Sequence, residues 1–268
     1  MKNSRALLLI LMLSVVLASC SKFSRIKKSQ DMEAKYKAAV EYYEKKNYYQ
    51  ALILFEELVS VFRGTIKAED AYYYYSMCYY YTGEYTMAAY HFNNFSQTFP
   101  SSLKSEEAAF LNAYCYYLDS PVYSLDQKST RDAIKQFQLF INRYPKSSKV
   151  AESNNLIDQL RAKLELKDFS NAKLYFKREQ YKSAMIAFQN VIKAFPTTSY
   201  KEECLYYIVV SSYEYAGRSI SSRQAERYKI TIENHLKLVD AFPNGRFLKE
   251  SEEIYQNCLK QLQKLGVS

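Results

Sequence analysis

The stretch AEDAYYYYSMCYYYTGEYTMAAYHF, residues 68–92, poses the question on which the fold turns. Tyr72–Tyr75 and Tyr79–Tyr81 lack strict polar alternation, so the row fits a buried strand as well as a helix with aromatics on two faces. Composition weighs against the strand. Glycine and proline number five each among 268 residues, whereas an all-β chain needs turn residues roughly every 8–12 positions. With 48% hydrophobic and 24% charged residues, the chain is globular in composition and long enough to bury a sizeable interior.

The end of the quoted stretch carries a repeat. Ala88 and Phe92 recur as Ala51 and Phe55, Ala133 and Phe137, and Ala184 and Phe188. Twelve residues after each of the last three alanines comes an aromatic-proline pair: Phe99-Pro100, Tyr144-Pro145 and Phe195-Pro196. After Ala51 the same offset reaches Arg63, beside Gly64. Phe242-Pro243 marks a fifth unit, in which Thr231 and His235 take the places of the alanine and phenylalanine. An alanine and a phenylalanine four apart share one helical face, where the small residue admits a neighbouring helix and the ring fills the space a turn along. Proline then ends the second helix of the unit, because it offers no backbone donor. The clusters Ser101-Ser102, Ser147-Ser148 and Thr197-Thr198-Ser199 are placed to cap the following helix, and Ser199 to Glu202 has capping-box spacing.

This pattern resembles the tetratricopeptide repeat, a helical hairpin of about 34 residues. Tyr72, Tyr75, Ser76, Tyr79, Gly83, Tyr85, Ala88, Phe92 and Pro100 fall on its signature spacing, with tyrosine where tryptophan is usual. The expected fold class is all-α, a tetratricopeptide-repeat superhelix of about five helical hairpins. Unit one runs from about Met32 to Gly64. Unit three, from near Glu106, carries an insertion at Asp119–Thr130 containing Pro121. Lys149–Lys177 reads as one continuous helix leading into unit four. Unit five, near Glu203–Pro243, has a longer insertion at Arg218–Glu226, and a helix at Leu248–Leu265 closes the array. The domain reading is repeats one to three over 32–147 and repeats four and five, with the connecting and final helices, over 148–268.

In this register Tyr72, Tyr75 and Tyr79 face the partner helix, while Tyr73, Met77, Tyr80 and Tyr81 point to the inner, concave side. Tyr36, Tyr43, Phe110, Tyr114 and Tyr117 join them there. These nine residues form a candidate peptide-binding groove, each ring offering apolar area and, for tyrosine, a polar tip. Interior packing is the alternative reading for each of them. Cys78 and Cys115 occupy one repeat position on helices ~8–10 Å apart, too far for a bridge that needs α-carbons within about 7 Å. They read as buried thiols, and the sequence leaves Cys204 and Cys258 open.

Residues 1–19 read as a lipoprotein signal peptide: Lys2 and Arg5, an apolar run from Ala6 to Ala18, then Cys20. Leu17-Ala18-Ser19-Cys20 resembles the bacterial lipobox, which makes Cys20 the lipidated residue and anchors the chain to a membrane. Removal of the signal lowers the formal charge from +9 to +7, through the loss of Lys2 and Arg5. Much of the local excess sits in Lys22, Arg25, Lys27 and Lys28 of the tether, 20–31. Such a segment suits anionic headgroups, and a solvated flexible tether is the alternative. Nucleic acid is not an expected partner of an exported lipoprotein.

Catalytic signatures are missing from the sequence. His91 and His235 are the two histidines, and both fall on second helices of units. No phosphate loop, closely spaced Cys/His metal set or nucleophile elbow stands out. The expectation is a binding protein and not an enzyme, with no cofactor, no metal and no catalytic residue.

A lipobox followed by such repeats, the Asp119-Ser120-Pro121 insertion and the long connecting helix resemble the BamD family, lipoproteins of the machine that inserts β-barrels into the bacterial outer membrane. The resemblance covers roughly residues 20–265. It implies an outer-membrane anchor facing the periplasm, N-terminal repeats that receive the aromatic-ended segment of unfolded outer-membrane β-barrel precursors, and C-terminal repeats that hold the POTRA region of a BamA-like insertase. On this chain it points to the nine groove residues for the precursor and to Arg178, Lys182, Arg218, Arg223 and Arg227 for the insertase. The abundance of tyrosine, 28 residues, and the Thr231 and His235 replacements depart from the pattern. A repeat lipoprotein scaffolding cell-wall or division enzymes is the main rival reading. A glycan-binding lipoprotein of a nutrient importer is another.

Overall fold

The computed structural model describes residues 22–267. The expected signal peptide, 1–19, and the expected lipidation residue Cys20 lie outside the described residues. Among the described residues every regular element is a helix, and none is long and apolar enough to cross a membrane.

A short helical segment, 22–27, precedes the first hairpin. That hairpin pairs α1 (Met32–Glu44) with α2 (Tyr48–Val61), the second pairs α3 (Ala68–Tyr81) with α4 (Tyr85–Thr98), and the third pairs α5 (Ser105–Leu118) with α6 (Lys128–Arg143). The 28-residue α7 (Val150–Lys177) follows, then α8 (Tyr181–Ala194), α9 (Lys201–Gly217), α10 (Ser221–Ala241) and α11 (Leu248–Lys264). The all-helical reading of the tyrosine row therefore holds. Consecutive helices pack on one another within α1–α6 and within α8–α11, and α1 also touches α3.

The chain folds as two compact units. The first runs to Pro121 and takes in Gln127–Leu160; the second comprises Val122–Asp126 and everything from Arg161 onward. The change from one to the other falls inside α7. In the second unit the Lys167 ammonium donates to the backbone oxygens of Tyr123 and Leu125, at 3.2 and 2.7 Å, fixing the insertion from unit three on that helix.

Ala51, Ala88, Ala133 and Ala184 are fully buried, as are their partners Phe55, Phe92, Phe137 and Phe188. Thr231 and His235 are buried at the matching positions of the fifth unit. There the Thr231 hydroxyl donates to the Arg227 carbonyl oxygen at 3.1 Å, so a polar side chain fills the slot without an unpaired donor. Lys35 is buried as well, its stem packed in the core and its ammonium 2.6 Å from the half-exposed Glu57 carboxylate.

One expectation about a turn needs correction. The capping box at Ser199–Glu202 does not form. Instead Thr198 Oγ1 accepts the Tyr200 amide at 3.0 Å. The same bond recurs in the turns that lead into α3, α5 and α7, where Thr65, Ser102 and Ser147 hydroxyls accept from the amides of Lys67, Lys104 and Lys149. A hydroxyl two residues before an amide closes a small turn of its own, and this wins over the box. The insertion at Arg218–Glu226 is largely helical. Residues 221–226 are helical and lengthen α10, leaving a tight connection from Gly217 to Ser221.

Candidate functional site

The first helices of the first three hairpins repeat one aromatic pattern at a spacing of 37 residues. Tyr36, Tyr73 and Phe110 share one position, and Tyr43, Tyr80 and Tyr117 share another two turns along. The nine residues assigned to the inner face divide here by burial.

Tyr73, Met77 and Phe110 are 8, 8 and 6% exposed. The Tyr73 ring lies 6.4 Å from Phe92 and 5.4 Å from Phe95 on α4. Met77 belongs to the same cluster, which also contains Ala108 and Cys115 of α5. Phe110 packs on Phe137 and Phe140 of α6, at 5.9 and 5.6 Å. These three pack inside their own hairpins and against the helix that follows, and do not line an open groove. The division of the α3 row into packing and inner residues thus fails for Tyr73 and Met77, because the small Ala88, Ala89 and Ala108 leave room for them inside.

The other six retain accessible surface. Tyr81 is 46% exposed, and Tyr36, Tyr43, Tyr80, Tyr114 and Tyr117 are half-buried. The structure gathers them into ladders. Tyr81 stacks on Tyr48 at 4.4 Å, Tyr48 meets Tyr43 edge-on at 5.5 Å, and Tyr43 meets Tyr74 at 4.8 Å. Tyr74 in turn stacks on Phe55 at 5.5 Å. Along α5 the rings of Phe110, Tyr114 and Tyr117 stack at 5.7 and 5.6 Å, and the Tyr117 hydroxyl donates to Gln159 Oε1 on α7 at 3.0 Å. Tyr36 packs edge-on to Phe55 and Phe62, and Tyr80 to Tyr81 and Tyr85.

Tyr48 and Tyr74 belong to this surface although the repeat register did not select them. Tyr74 stands at the centre of the tyrosine row, and Tyr48 opens α2 directly after the α1–α2 turn. Burial raises the phenol pKa of Tyr36 and Tyr43, and that of Tyr80 to about 12, so these hydroxyls stay protonated and can donate. Tyr73 is raised by burial first and then by its hydrogen bond to Glu107. The face offers flat apolar area with phenol donors, which suits aromatic side chains and backbone carbonyls.

In the second unit Arg178 and Lys182 are exposed on either side of the α7–α8 turn. Arg218 pairs with Glu179, lies 3.7 Å from Glu214, and holds its guanidinium 4.8 Å over the Tyr181 ring. Arg227 lies 4.1 Å over Tyr215 and donates to Ser219. Arg223 pairs with Glu226 at 3.0 Å and, with Arg227, Met185 and Ile230, lines a cleft of about 180 Å³. Arg218 and Arg227 therefore also brace the α9–α10 connection.

The histidines are packing residues. His91 stacks on Tyr79 at 5.1 Å, its Nδ1 lies 3.3 Å from the Tyr72 hydroxyl, and burial lowers its pKa to about 4. His235 stacks on Tyr255 at 4.9 Å with Nε2 3.3 Å from the Glu252 carboxylate. Cys78, Cys115, Cys204 and Cys258 are all buried and free, and burial pushes each thiol up to about 12. Among the described residues no group of three or more His, Cys, Asp or Glu side chains is placed to share a metal ion.

Comparison with known proteins gives three findings. No curated relative matches the sequence. Among solved structures, the tetratricopeptide domain of P58(IPK) aligns with a TM-score of 0.42 at 16% identity, over 90% of this chain and 69% of that one. The TPR2AB domain of yeast Sti1, in complex with pHSP90, aligns with a TM-score of 0.40 at 12% identity, over 85% of this chain and 98% of that one. The model of the family described as "YfiO: Outer membrane lipoprotein" matches residues 28–227, which include the whole aromatic face and the α9–α10 connection. This match spans well over half the sequence, and the chain belongs to the YfiO family of outer membrane lipoproteins.

Proposed function

We propose that this lipoprotein is a lipid-anchored adaptor of the β-barrel assembly machinery. Cys20 carries the lipid, the first unit receives unfolded outer-membrane β-barrel precursors, and the second holds the periplasmic POTRA region of a BamA-like insertase. The observation that carries the reading is the aromatic face across α1, α3 and α5, inside the segment matched by the family. Barrel precursors are rich in aromatic and apolar side chains before they fold, and a surface of stacked phenols binds such segments without demanding one sequence. The exposed Arg178, Lys182 and Arg223 give the second unit a basic surface of different chemistry, fitted to a folded acidic partner.

Pull-down of the anchored protein from its own membranes tests the assignment. Recovery of a large barrel protein with periplasmic domains supports it. Recovery of peptidoglycan synthases or division proteins in its place favours the scaffold reading and rejects this one.

A further inference from the structure

We propose that the 22–27 segment and the α1–α2 turn form a rigid basic face that lies on an anionic phospholipid surface, so that the first hairpin rests against the membrane. The proposal deepens the anchoring reading and rests on lipid attachment at Cys20. The segment is a docked helix. The Phe23 ring meets Tyr42 of α1 edge-on at 5.5 Å, and Phe23 and Ile26 both pack against the first core cluster. Lys22 Nζ stands 4.0 Å from the Glu41 carboxylate, which Lys45 also contacts, so one acid draws both lysines to the same patch.

Between the segment and α1 lies a cleft of about 480 Å³ bordered by Lys22, Arg25 and Lys45, with Glu41 in its wall and Ile26 and Tyr42 below. Lys27, Lys28 and Lys46 are exposed nearby along the chain, opposed locally by Glu41 and Glu44. This positive excess is complementary to the phosphates of anionic headgroups. Tyr49, 70% exposed, adds an amphipathic ring of the kind favoured at headgroup level.

Covalent reach limits the distance between this face and the anchor. Cys20 is two residues from Lys22, and two extended residues span at most ~7 Å. That distance is within the Debye length of about 8 Å at physiological salt, so acyl chains in the bilayer bring these charges into the surface potential. A flexible tether would leave the hairpin free, whereas the Phe23 contact transmits the position of the anchor to α1.

The test uses the mature full-length chain with Cys20→Ser, which has no acyl group, and vesicles of phosphatidylcholine with or without phosphatidylglycerol. Binding is expected to require phosphatidylglycerol and to fall with salt. Lys22→Gln with Arg25→Gln should lower the partition coefficient by roughly tenfold or more, with helical content unchanged. An environment-sensitive dye on Tyr49→Cys should respond to the anionic vesicles. The same dye on Leu103→Cys, fully exposed in the turn at the other end of the hairpins, should not. Phe23→Ala should weaken the response at position 49 while binding persists.

Equal binding to both vesicle types, retained preference in the double variant, or equal response at 49 and 103 each overturns the proposal. A normal response at 49 in Phe23→Ala overturns it as well. Acylation of Cys20 is read separately, from the mass of the anchored protein. Its absence rejects the anchor and leaves the vesicle results intact.

Discussion

Lys104 Nζ stands 5.2 Å from the centre of the Tyr73 ring, and Lys67 makes the same contact over Tyr36 at 5.3 Å. Lys149 completes the series over Phe110 at 5.0 Å. The lysine follows its ring by 31 residues in the first two cases and by 39 in the third, the difference being the unit-three insertion. Lys67 and Lys104 also pair with first-turn acids of the preceding first helix, Glu33 and Asp70, whereas Lys149 pairs locally with Glu152 on α7 and reaches back only through its ring contact. The hydroxyl that closes each turn therefore aims a cation back across the preceding first helix, stapling successive hairpins together.

If the staple is energetic, Lys104→Met should cost about 0.5–1 kcal/mol while preserving the stem packing. A double-mutant cycle in urea between Lys104→Met and Tyr73→Leu should show coupling of similar size. Additive effects of the two substitutions would reduce the contact to coincidence.

Tyr73 and Tyr81 share a helix, yet they should respond oppositely to truncation. Tyr81→Ala removes a ring that is half in water and stacked on Tyr48. It should weaken binding of an aromatic-ended precursor peptide several-fold, with the midpoint of thermal unfolding little changed. Tyr73→Ala empties a buried site and should cost about 3 kcal/mol or more. Titration of the peptide alongside thermal melts separates the two effects, and a binding loss confined to Tyr73→Ala would move the candidate site elsewhere.

Those two tyrosines also show how far the sequence could be read. The alanine–phenylalanine repeat located four of the hairpins because Ala51, Ala88, Ala133 and Ala184 are contact points whose size is dictated by helix approach, and the Phe242-Pro243 pair marked the fifth. The face of the tyrosine row was harder to assign. A tyrosine that packs and a tyrosine that binds obey the same periodicity, and only the volume left by Ala89 and Ala108 decides which one is swallowed. The conformation of the 218–226 insertion was not legible for a related reason: an insertion relative to a repeat can lengthen a helix as readily as it forms a loop, and here residues 221–226 extend α10. The hydroxyl turns were half legible. The clusters marked the right places, but competition between a two-residue turn and a capping box depends on backbone geometry that spacing does not encode.

The α1–α2, α3–α4 and α7–α8 turns each pass through a left-handed residue: Lys46 at φ 61°, Gly83 at φ 81° and Glu179 at φ 59°. Glycine adopts this conformation without penalty, whereas a side chain costs roughly 1–2 kcal/mol. Lys46→Gly should therefore stabilise the protein, by about 1 kcal/mol, and Gly83→Ala should destabilise it by a similar amount even though a methyl group there would meet nothing within 4 Å. Urea midpoints of the two variants check both signs. A Lys46→Gly variant less stable than the parent would show that this turn gains from its side chain more than it loses in its backbone.

His91 gives the fold a one-sided response to acid. Its folded pKa is about 4 against an ordinary value of 6.5, because burial between Tyr72, Tyr75 and Tyr79 disfavours the imidazolium. Between pH 6.5 and about 4 the unfolded chain binds a proton at this residue that the native chain refuses, so stability rises with pH across the window. The contribution is fully present above 6.5, is lost progressively as pH falls, and levels off below about 4. Carboxylates titrate at the lower end, so the informative comparison is between the parent and His91→Gln from pH 7 down to about 5. The parent should lose stability over that range, and the variant should lose distinctly less. Parallel profiles for the two proteins would mean that His91 accepts its proton in the folded state, with the Tyr72 hydroxyl or water reaching the ring.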